Sequence, residues 1–252
     1  DGVVKLDVHY MSKLSFVSLS QKKKLSFLNR PGVWNKKKAL VEKQVDFFAS
    51  SLIDSYAKRE CAHSLPLDVK DEIIGTFVRA FPYQDTVDQA LCWGDILKDL
   101  GSSLPMNRLV CGDVGFGKTE LAIRAAFVSV VNNQQVVILA PTTILANQLY
   151  HSFFNRLSCF GVSLSCLSRI TKNKKTLVEN FVNKKTDIVV GTSALLFQKD
   201  ILSLCGLFIV DEEHRFGVEN KEKVFKYNAS VNFLSLSATP IPRSMQLSLS
   251  CV

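Results

Sequence analysis

Residues 112–119 read Gly-Asp-Val-Gly-Phe-Gly-Lys-Thr, which fits the spacing G-x-x-x-x-G-K-[ST] at every fixed position. An apolar run at 109–111 precedes this stretch, and a helical pattern begins at Thr119. Glycines at 112, 115 and 117 let a backbone curl so that its N–H groups point at one anion. A glycine-rich turn could match by chance, but the strand before and the helix after favour a phosphate-binding loop.

The residue types of this stretch assign its chemistry. Lys118 would neutralise the β- and γ-phosphates of a nucleotide and the Thr119 hydroxyl would hold Mg²⁺, while the N-terminus of the following helix adds its positive end. The predicted nucleotide contacts are Gly112, Asp113, Val114, Gly115, Phe116, Gly117, Lys118, Thr119 and Glu120.

A second cluster of candidate residues follows the apolar run 207–210, where the chain reads Asp211-Glu212-Glu213-His214. Asp211 would bind Mg²⁺ and Glu212 would polarise the water that attacks the γ-phosphate. His214 is a candidate to relay the state of the γ-phosphate. The alternative is an acidic turn without a function after a buried strand. The predicted phosphate-binding loop at 112–119 favours the functional interpretation. Lys118, Asp211 and Glu212 are therefore the predicted catalytic residues.

Strand-like and helix-like stretches alternate from Pro82 onward, which predicts an α/β fold with a parallel sheet and helices on both faces. Ligands of such sheets gather at the carboxyl ends of the strands. Strands are expected at 109–111, 136–140, 162–167, 187–190, 207–210 and 232–236, and helices at 119–131, 143–160, 172–184, 193–197 and 218–226.

The first 80 residues have a different pattern. Residues 3–19 alternate loosely between apolar and polar, which suits the end of a small β unit, and 36–60 predict a long helix with one apolar face. A second helix is expected within 62–80, with Val69, Ile73 and Phe77 on its apolar face. The first and last residues suggest a fragment of a longer chain.

Composition narrows the class of protein. No apolar run approaches the ~20 residues that a membrane span needs, and the seven cysteines include no C-x-x-C pair, which favours reduced core thiols in a cytosol. The formal net charge is +8, but residues 1–60 carry 12 Lys/Arg against 6 Asp/Glu, so net charge argues only weakly for a nucleic-acid partner of the main domain.

Five stretches together resemble the first motor domain of the bacterial transcription-repair coupling factors (Mfd). They are FPYQDTVDQ at 81–89, PMNRLVCGDVGFGKTE at 105–120, PTT at 141–143, DEEHRFGV at 211–218 and SATPIPR at 237–243. The resemblance covers about residues 33–250. The branched-DNA helicase RecG shares part of these motifs and is the alternative; it differs where this chain has Cys111, Phe116 and Glu213.

The resemblance implies a RecA-like domain 1 of a superfamily 2 helicase, a P-loop NTPase, at 81–252. It also implies linker helices at 33–80, including a long linker helix, and the tail of a module that contacts RNA polymerase at 1–32. Gln89 would read adenine, with Phe81 as a stacking partner. The DNA backbone would be contacted by Thr142, Thr143, Ser168, Arg169, Gly191 and Thr192, for which helix capping is the plainer alternative. Coupling of hydrolysis to movement would involve His214, Ser237, Thr239 and Arg243.

The function that the resemblance implies is the ATP-binding half of a double-stranded-DNA translocase that needs ATP and Mg²⁺. The whole protein would displace stalled RNA polymerase, recruit UvrA and work in the bacterial cytoplasm. A second RecA-like domain with its arginine is expected outside these residues. A RecG-like helicase, or a nucleotide-gated binding module without motor activity, stays open.

Overall fold

The computed structural model describes residues 38–40, 53, 57–168, 171 and 173–238. The chain divides into two compact units, Asp1–Ala49 and Ser50–Val252. The predictions for residues 1–32 lie outside the described residues. The described parts of the predicted helix at 36–60, namely 38–40, 53 and 57–60, are helical.

The second unit is an α/β domain with thirteen regular elements in its described part. The helices are α1 (Glu72–Arg79), α2 (Val87–Leu100), α3 (Lys118–Val131), α4 (Thr143–Leu157), α5 (Lys174–Val182), α6 (Lys199–Leu204) and α7 (Val218–Tyr227). The strands are β1 (Asn107–Cys111), β2 (Gln135–Leu139), β3 (Leu164–Leu167), β4 (Ile188–Gly191), β5 (Cys205–Val210) and β6 (Asn232–Ser237). Short 3₁₀ turns lie at Ser158–Phe160, Ser193–Phe197 and Glu213–Arg215.

All six strands pair in parallel, in the order β1-β6-β5-β2-β4-β3. After β1 at one edge of the sheet, the chain forms β2, β3 and β4 on the far side. It then returns to form β5 and β6, which lie between β2 and β1. Cys111 is in register with Ser237, and Leu139 with Val210. The carboxyl ends of β1, β6, β5 and β2 therefore lie at one edge of the sheet.

Side chains alternate between the two faces of the sheet, as a strand period of two requires. Val136 and Ile138 pack with α1–α4 on one face, while Val137 and Leu139 pack with α5–α7 on the other. Because β2, β4 and β5 are buried on both faces, their sequences are predominantly apolar. The predicted class, a parallel sheet covered on both sides, is confirmed.

Helices α2 and α6 were not predicted, and the helix expected at 193–197 is a 3₁₀ turn. In α1 the buried positions are Ile74 and Phe77, whereas Ile73 is 42% exposed and Val69 precedes the helix. Of the three residues expected on the apolar face, Val69, Ile73 and Phe77, Ile73 was therefore wrong, because its neighbour Ile74 is the buried one.

The helical residues at 57–60 are attached to the sheet by Arg59, whose side chain is buried. Its guanidinium donates to the carbonyls of Ala229 at 3.3 Å and Pro105 at 3.4 Å, and it lies 4.2 Å from the Phe225 ring centre. Because these carbonyls precede β6 and β1, Arg59 holds residues 57–60 against the amino ends of two strands.

Candidate nucleotide site

Gly112 and Asp211 both lie at the carboxyl edge of the sheet. The Gly112 N–H donates to the Ser237 carbonyl at 3.2 Å, and the Asp211 N–H donates to the Leu139 carbonyl at 2.9 Å. These two bonds extend the ladders beyond the strands. They fix the start of the glycine loop beside the end of β6, and Asp211 beside the end of β2.

The loop at 112–117 has the backbone that its glycines were expected to allow. Gly115 has a φ of 85° and Gly117, the N-cap of α3, has a φ of 69°, both in the left-handed region. The Lys118 ammonium curls back over the loop and donates to the carbonyls of Gly112 at 2.5 Å and Asp113 at 2.7 Å. The lysine is therefore placed over the concave side of the loop, where a phosphate would be bound.

Lys118 follows the loop after β1, and Asp211 directly follows β5, so both residues lie at this carboxyl edge, on either side of β6. Burial, and then the neighbouring Glu212 carboxylate, raise the pKa of the Asp211 carboxyl above its ordinary value, while the Glu212 N–H and the Lys118 ammonium act against that rise. Carboxylate oxygens are among the donors that Mg²⁺ prefers.

Glu212 is one of three described residues other than glycine with a positive φ, at 57°. Its N–H donates to Asp211 Oδ1 at 3.1 Å, and its carbonyl accepts the Arg215 N–H at 2.9 Å. Its Oε2 lies 3.2 Å from His214 Nδ1, outside hydrogen-bond geometry. A left-handed glutamate costs of the order of 1 kcal/mol or more, and such strain concentrates at functional sites.

The oxygen donors available for Mg²⁺ are few. No group of three or more His, Cys, Asp or Glu side chains in the described residues could hold a metal ion by itself. Magnesium at a nucleotide site is commonly held by one or two protein oxygens together with phosphates and water. Thr119, at the start of α3, and Asp211 fit that requirement as a hydroxyl and a carboxylate donor.

Gln89 contacts the loop directly. Its Nε2 donates to the Phe116 carbonyl at 3.0 Å, and its Oε1 accepts the Thr86 N–H at 2.8 Å. One amide hydrogen and one oxygen lone pair stay available, which is the donor and acceptor pair that an adenine edge needs. Phe81 lies next to Tyr83, with ring centres 5.4 Å apart.

Glu120 is positioned differently from the other loop residues. Its side chain is 8% exposed and is held by Arg124 at 3.0 Å and Arg156 at 3.1 Å, away from the loop. Any contact of Glu120 with a nucleotide would therefore come from its backbone.

The residues predicted to contact DNA are divided by burial. Thr142 and Thr143 lie at the start of α4, where the Thr142 hydroxyl caps the helix by accepting the Leu145 N–H at 3.2 Å. Ser168 and Thr192 are buried, at 6% and 8% exposure, so their hydroxyls do not face solvent.

Gly191 has a packing role. A Cβ at this position would overlap the Leu167 carbonyl oxygen and lie 2.8 Å from Leu195 Cδ1. The contact between β4 and its surroundings therefore requires glycine, whether or not DNA is bound there.

Three of the predicted site residues lie outside the described residues, namely Arg169, Thr239 and Arg243. Ser237 is buried, and its carbonyl accepts the Gly112 N–H of the loop.

The cysteines were expected in the core. Among the described free thiols only Cys205 is buried, and Cys61, Cys111 and Cys159 are exposed.

Sequence reasoning missed two supports of the site. Thr86 and Gln89 form a reciprocal capping box at the start of α2, which the spacing T-x-x-Q could have revealed. Asp85 pairs with Arg124 through two hydrogen bonds of 2.6 and 2.8 Å, a contact across 39 residues that has no local sequence signal.

Comparison with known proteins identifies relatives of this domain. The DEAD/DEAH box helicase family matches residues 86–247. Transcription-repair-coupling factors of Borreliella burgdorferi and Bacillus subtilis are 44% and 42% identical over 218 residues, or 86% of this chain. The chain spans about a fifth of their length, 19% and 18% respectively.

Solved structures give the same picture of the fold. RecG bound to a three-way DNA junction superposes with a TM-score of 0.65 at 34% identity, covering 76% of this chain and 26% of that chain. The helicase MrfA superposes with a TM-score of 0.53 at 18% identity, over 73% of this chain and 32% of that chain, which supports the fold alone. No helix in the described residues is long and apolar enough to cross a membrane.

Proposed function

The chain belongs to the DEAD/DEAH box helicase family, and on that premise we propose that it is the ATP-binding half of a superfamily 2 double-stranded-DNA translocase. The observation that carries the proposal is that Lys118, bonded to the glycine loop after β1, and Asp211, at the end of β5, lie at one edge of the sheet. One metal–triphosphate could contact both groups there.

Each residue has a separate task in the proposed site. The N–H groups of the loop and the start of α3 bind phosphate oxygens, and Lys118 exchanges its carbonyl partners for the β- and γ-phosphates. Thr119 and Asp211 hold Mg²⁺, which neutralises the charge of the triphosphate. Glu212 orients and polarises the attacking water, while Gln89, with Phe81 beside it, recognises adenine.

The proposed DNA path follows the same edge of the sheet. Thr142, Thr143, Ser168, Arg169, Gly191 and Thr192 would contact phosphates. Ser237, Thr239 and Arg243 would pass the nucleotide state to the DNA, since Ser237 already bonds the loop at Gly112. His214, beside Glu212, would report on the γ-phosphate.

By likeness to the transcription-repair-coupling factors, the whole protein would pull on DNA upstream of a stalled RNA polymerase, displace it and recruit UvrA in the bacterial cytoplasm. A polymerase-displacement assay with the full-length protein tests this role. The similarity to RecG supports a second candidate, a branched-DNA helicase. That candidate predicts unwinding of three-way junctions without displacement of polymerase.

Calorimetric titration with ATP and Mg²⁺ tests nucleotide binding. Wild type should bind ATP, and Lys118→Ala should weaken binding at least ~100-fold, because a charge-assisted contact to phosphate is lost from a partly buried site. Lys98→Ala, at the exposed end of α2, is the matched control and should bind like wild type. Absence of adenine-nucleotide binding by wild type would reject the proposal.

A further inference from the structure

Four charged side chains form a partly buried network next to the nucleotide loop: Asp85, Glu120, Arg124 and Arg156. Arg124 lies at its centre, with a side chain only 1% exposed. Its Nη1 and Nη2 donate to the two carboxylate oxygens of Asp85 at 2.6 and 2.8 Å, and its Nε donates to Glu120 at 3.0 Å. Both carboxylates therefore share one guanidinium.

This network connects two segments that the nucleotide needs in one place. Arg124 is on α3, which begins at Lys118. Asp85 directly precedes Thr86, the N-cap of α2, whose capping box fixes Gln89. Gln89 in turn donates to the Phe116 carbonyl in the loop at 3.0 Å. The segment 85–89 is thus attached to the loop at one end and to α3 at the other.

The same guanidinium also lies against Phe81. Arg124 is 5.2 Å and Arg156 is 5.4 Å from the centre of the Phe81 ring. Arg124 therefore contacts both ends of the stretch 81–85, the ring through a cation–π contact and the carboxylate through its two-bond fork. The direction in which 81–89 approaches the loop follows from these contacts.

We propose that Arg124 is a positioning residue for adenine recognition, which acts through Asp85 to hold Gln89 and Phe81 against the phosphate loop. The inference rests on the proposed function, because it assumes that the loop binds ATP. In this proposal the pair Asp85–Arg124 lets the site distinguish an adenine nucleotide from a bare polyphosphate. Lys118 and Asp211 take part in binding both ligands.

The chemistry of the pair favours this role over simple stabilisation. A buried ion pair contributes little net stability compared with apolar residues of the same volume. It does fix geometry, because a guanidinium can donate two parallel hydrogen bonds to a carboxylate in only one orientation. A network of this kind suits a segment whose position relative to the loop must be set to within a fraction of an ångström.

The test measures the affinity of the 252-residue chain for ATP, inosine triphosphate and inorganic tripolyphosphate, each with Mg²⁺. Asp85→Asn is the main variant, because Asp85 is the more exposed partner and Arg124 keeps Glu120. Asp95→Asn is the control, since it removes a carboxylate of α2 that lies 3.0 Å from Arg108 of β1. Thermal unfolding without ligand shows whether each variant is folded.

Asp85→Asn should weaken ATP binding about tenfold, the equivalent of roughly one hydrogen bond, and leave tripolyphosphate binding unchanged. Its preference for ATP over inosine triphosphate should shrink, and Asp95→Asn should match wild type. Combined with Gln89→Ala, Asp85→Asn should add little further loss, because both changes remove the same recognition. Arg124→Lys, which keeps the charge but loses the fork, should reproduce the selective loss and serves if Asp85→Asn does not fold.

Equal weakening of ATP and tripolyphosphate would overturn the inference, because the change would then damage the loop in general. Unchanged ATP affinity in Asp85→Asn and Arg124→Lys, or a full additional loss in the Gln89→Ala background, would overturn it as well. Failure of wild type to bind either ligand would instead reject the proposed function, so the two failures are distinct.

Discussion

The N–H of Gly112 donates to the carbonyl oxygen of Ser237 at 3.2 Å, so the first residue of the nucleotide loop is bonded to the last residue of β6. This bond ties the start of the loop to the carboxyl end of β6, so a shift of the loop at Gly112 has to break the bond or move the end of that strand.

Gly117→Ala should weaken ATP binding at least tenfold. Its φ of 69° is strained for alanine by ~1–2 kcal/mol, and the new Cβ would lie 2.5 Å from Gln89 Nε2. Both effects disturb the loop and the adenine-reading residue together. The measurement is ATP affinity by calorimetry, with thermal unfolding alongside.

The matched control is Gly94→Ala, an exposed glycine within α2 with no atom within 4 Å of the added Cβ. It should raise stability by about 0.5–1 kcal/mol and leave ATP affinity as in wild type. Normal ATP binding by Gly117→Ala would contradict the loop geometry.

Asp211→Asn should stabilise the nucleotide-free chain at neutral pH by about 1 kcal/mol and abolish the Mg²⁺ dependence of ATP binding. The pKa of the Asp211 carboxyl is raised in the folded state, so its charged form opposes folding at any pH above that pKa. Asparagine removes this cost.

The stability gain should therefore shrink as pH falls through the raised pKa, and vanish below the ordinary carboxyl value of 3.8. Urea unfolding at several pH values measures it, with Asp200→Asn as a control on an exposed carboxylate. A destabilised Asp211→Asn at neutral pH would show that the carboxylate is held by favourable contacts instead.

Gly191→Ala should destabilise the domain by about 1–3 kcal/mol, because a Cβ overlaps the Leu167 carbonyl oxygen and crowds Leu195. The midpoint of urea unfolding is the direct readout. Should the variant keep wild-type stability yet lose DNA affinity, Gly191 would be a phosphate contact and the packing explanation would be wrong.

The 252 residues alone should bind ATP but hydrolyse it slowly, with or without DNA. Family resemblance implies an arginine supplied by a second RecA-like domain, and loss of such a residue costs a factor of ~10³ or more. A phosphate-release assay with and without duplex DNA measures turnover, with Glu212→Gln as the inactive reference. Brisk DNA-stimulated hydrolysis by wild type would contradict the need for that domain.

The central strands could be predicted because β2, β4 and β5 are buried and mostly apolar. β5, for example, was expected at 207–210 and spans Cys205–Val210. Helix α2 was missed because its apolar residues do not lie on one side: Val87 and Leu91 are 76% and 66% exposed, while Trp93 and Ile96 are buried. Gly94 in its middle also weakens the helical signal.

The chemistry of the site followed from spacing, whereas its supports did not. Lys118 and Asp211 could be proposed because the loop motif and the acidic stretch each follow a predicted strand, and parallel strands end at one edge of a sheet. Glu120 was expected at the nucleotide, yet its side chain pairs with Arg124 and Arg156, the second of them 36 residues away. Contacts of that kind depend on how helices pack, which a local pattern does not encode.

The edge position of β1 has a consequence for synthesis. Among the described strands β1 pairs only with β6. The two paired strands are far apart in the sequence, since Asn107 is in register with Phe233. A growing chain on the ribosome therefore carries its glycine loop long before the neighbour that anchors it has been made. In nascent chains that end before β6, β1 should be unpaired. Binding of ATP should therefore begin only after residue 237 has emerged from the ribosome.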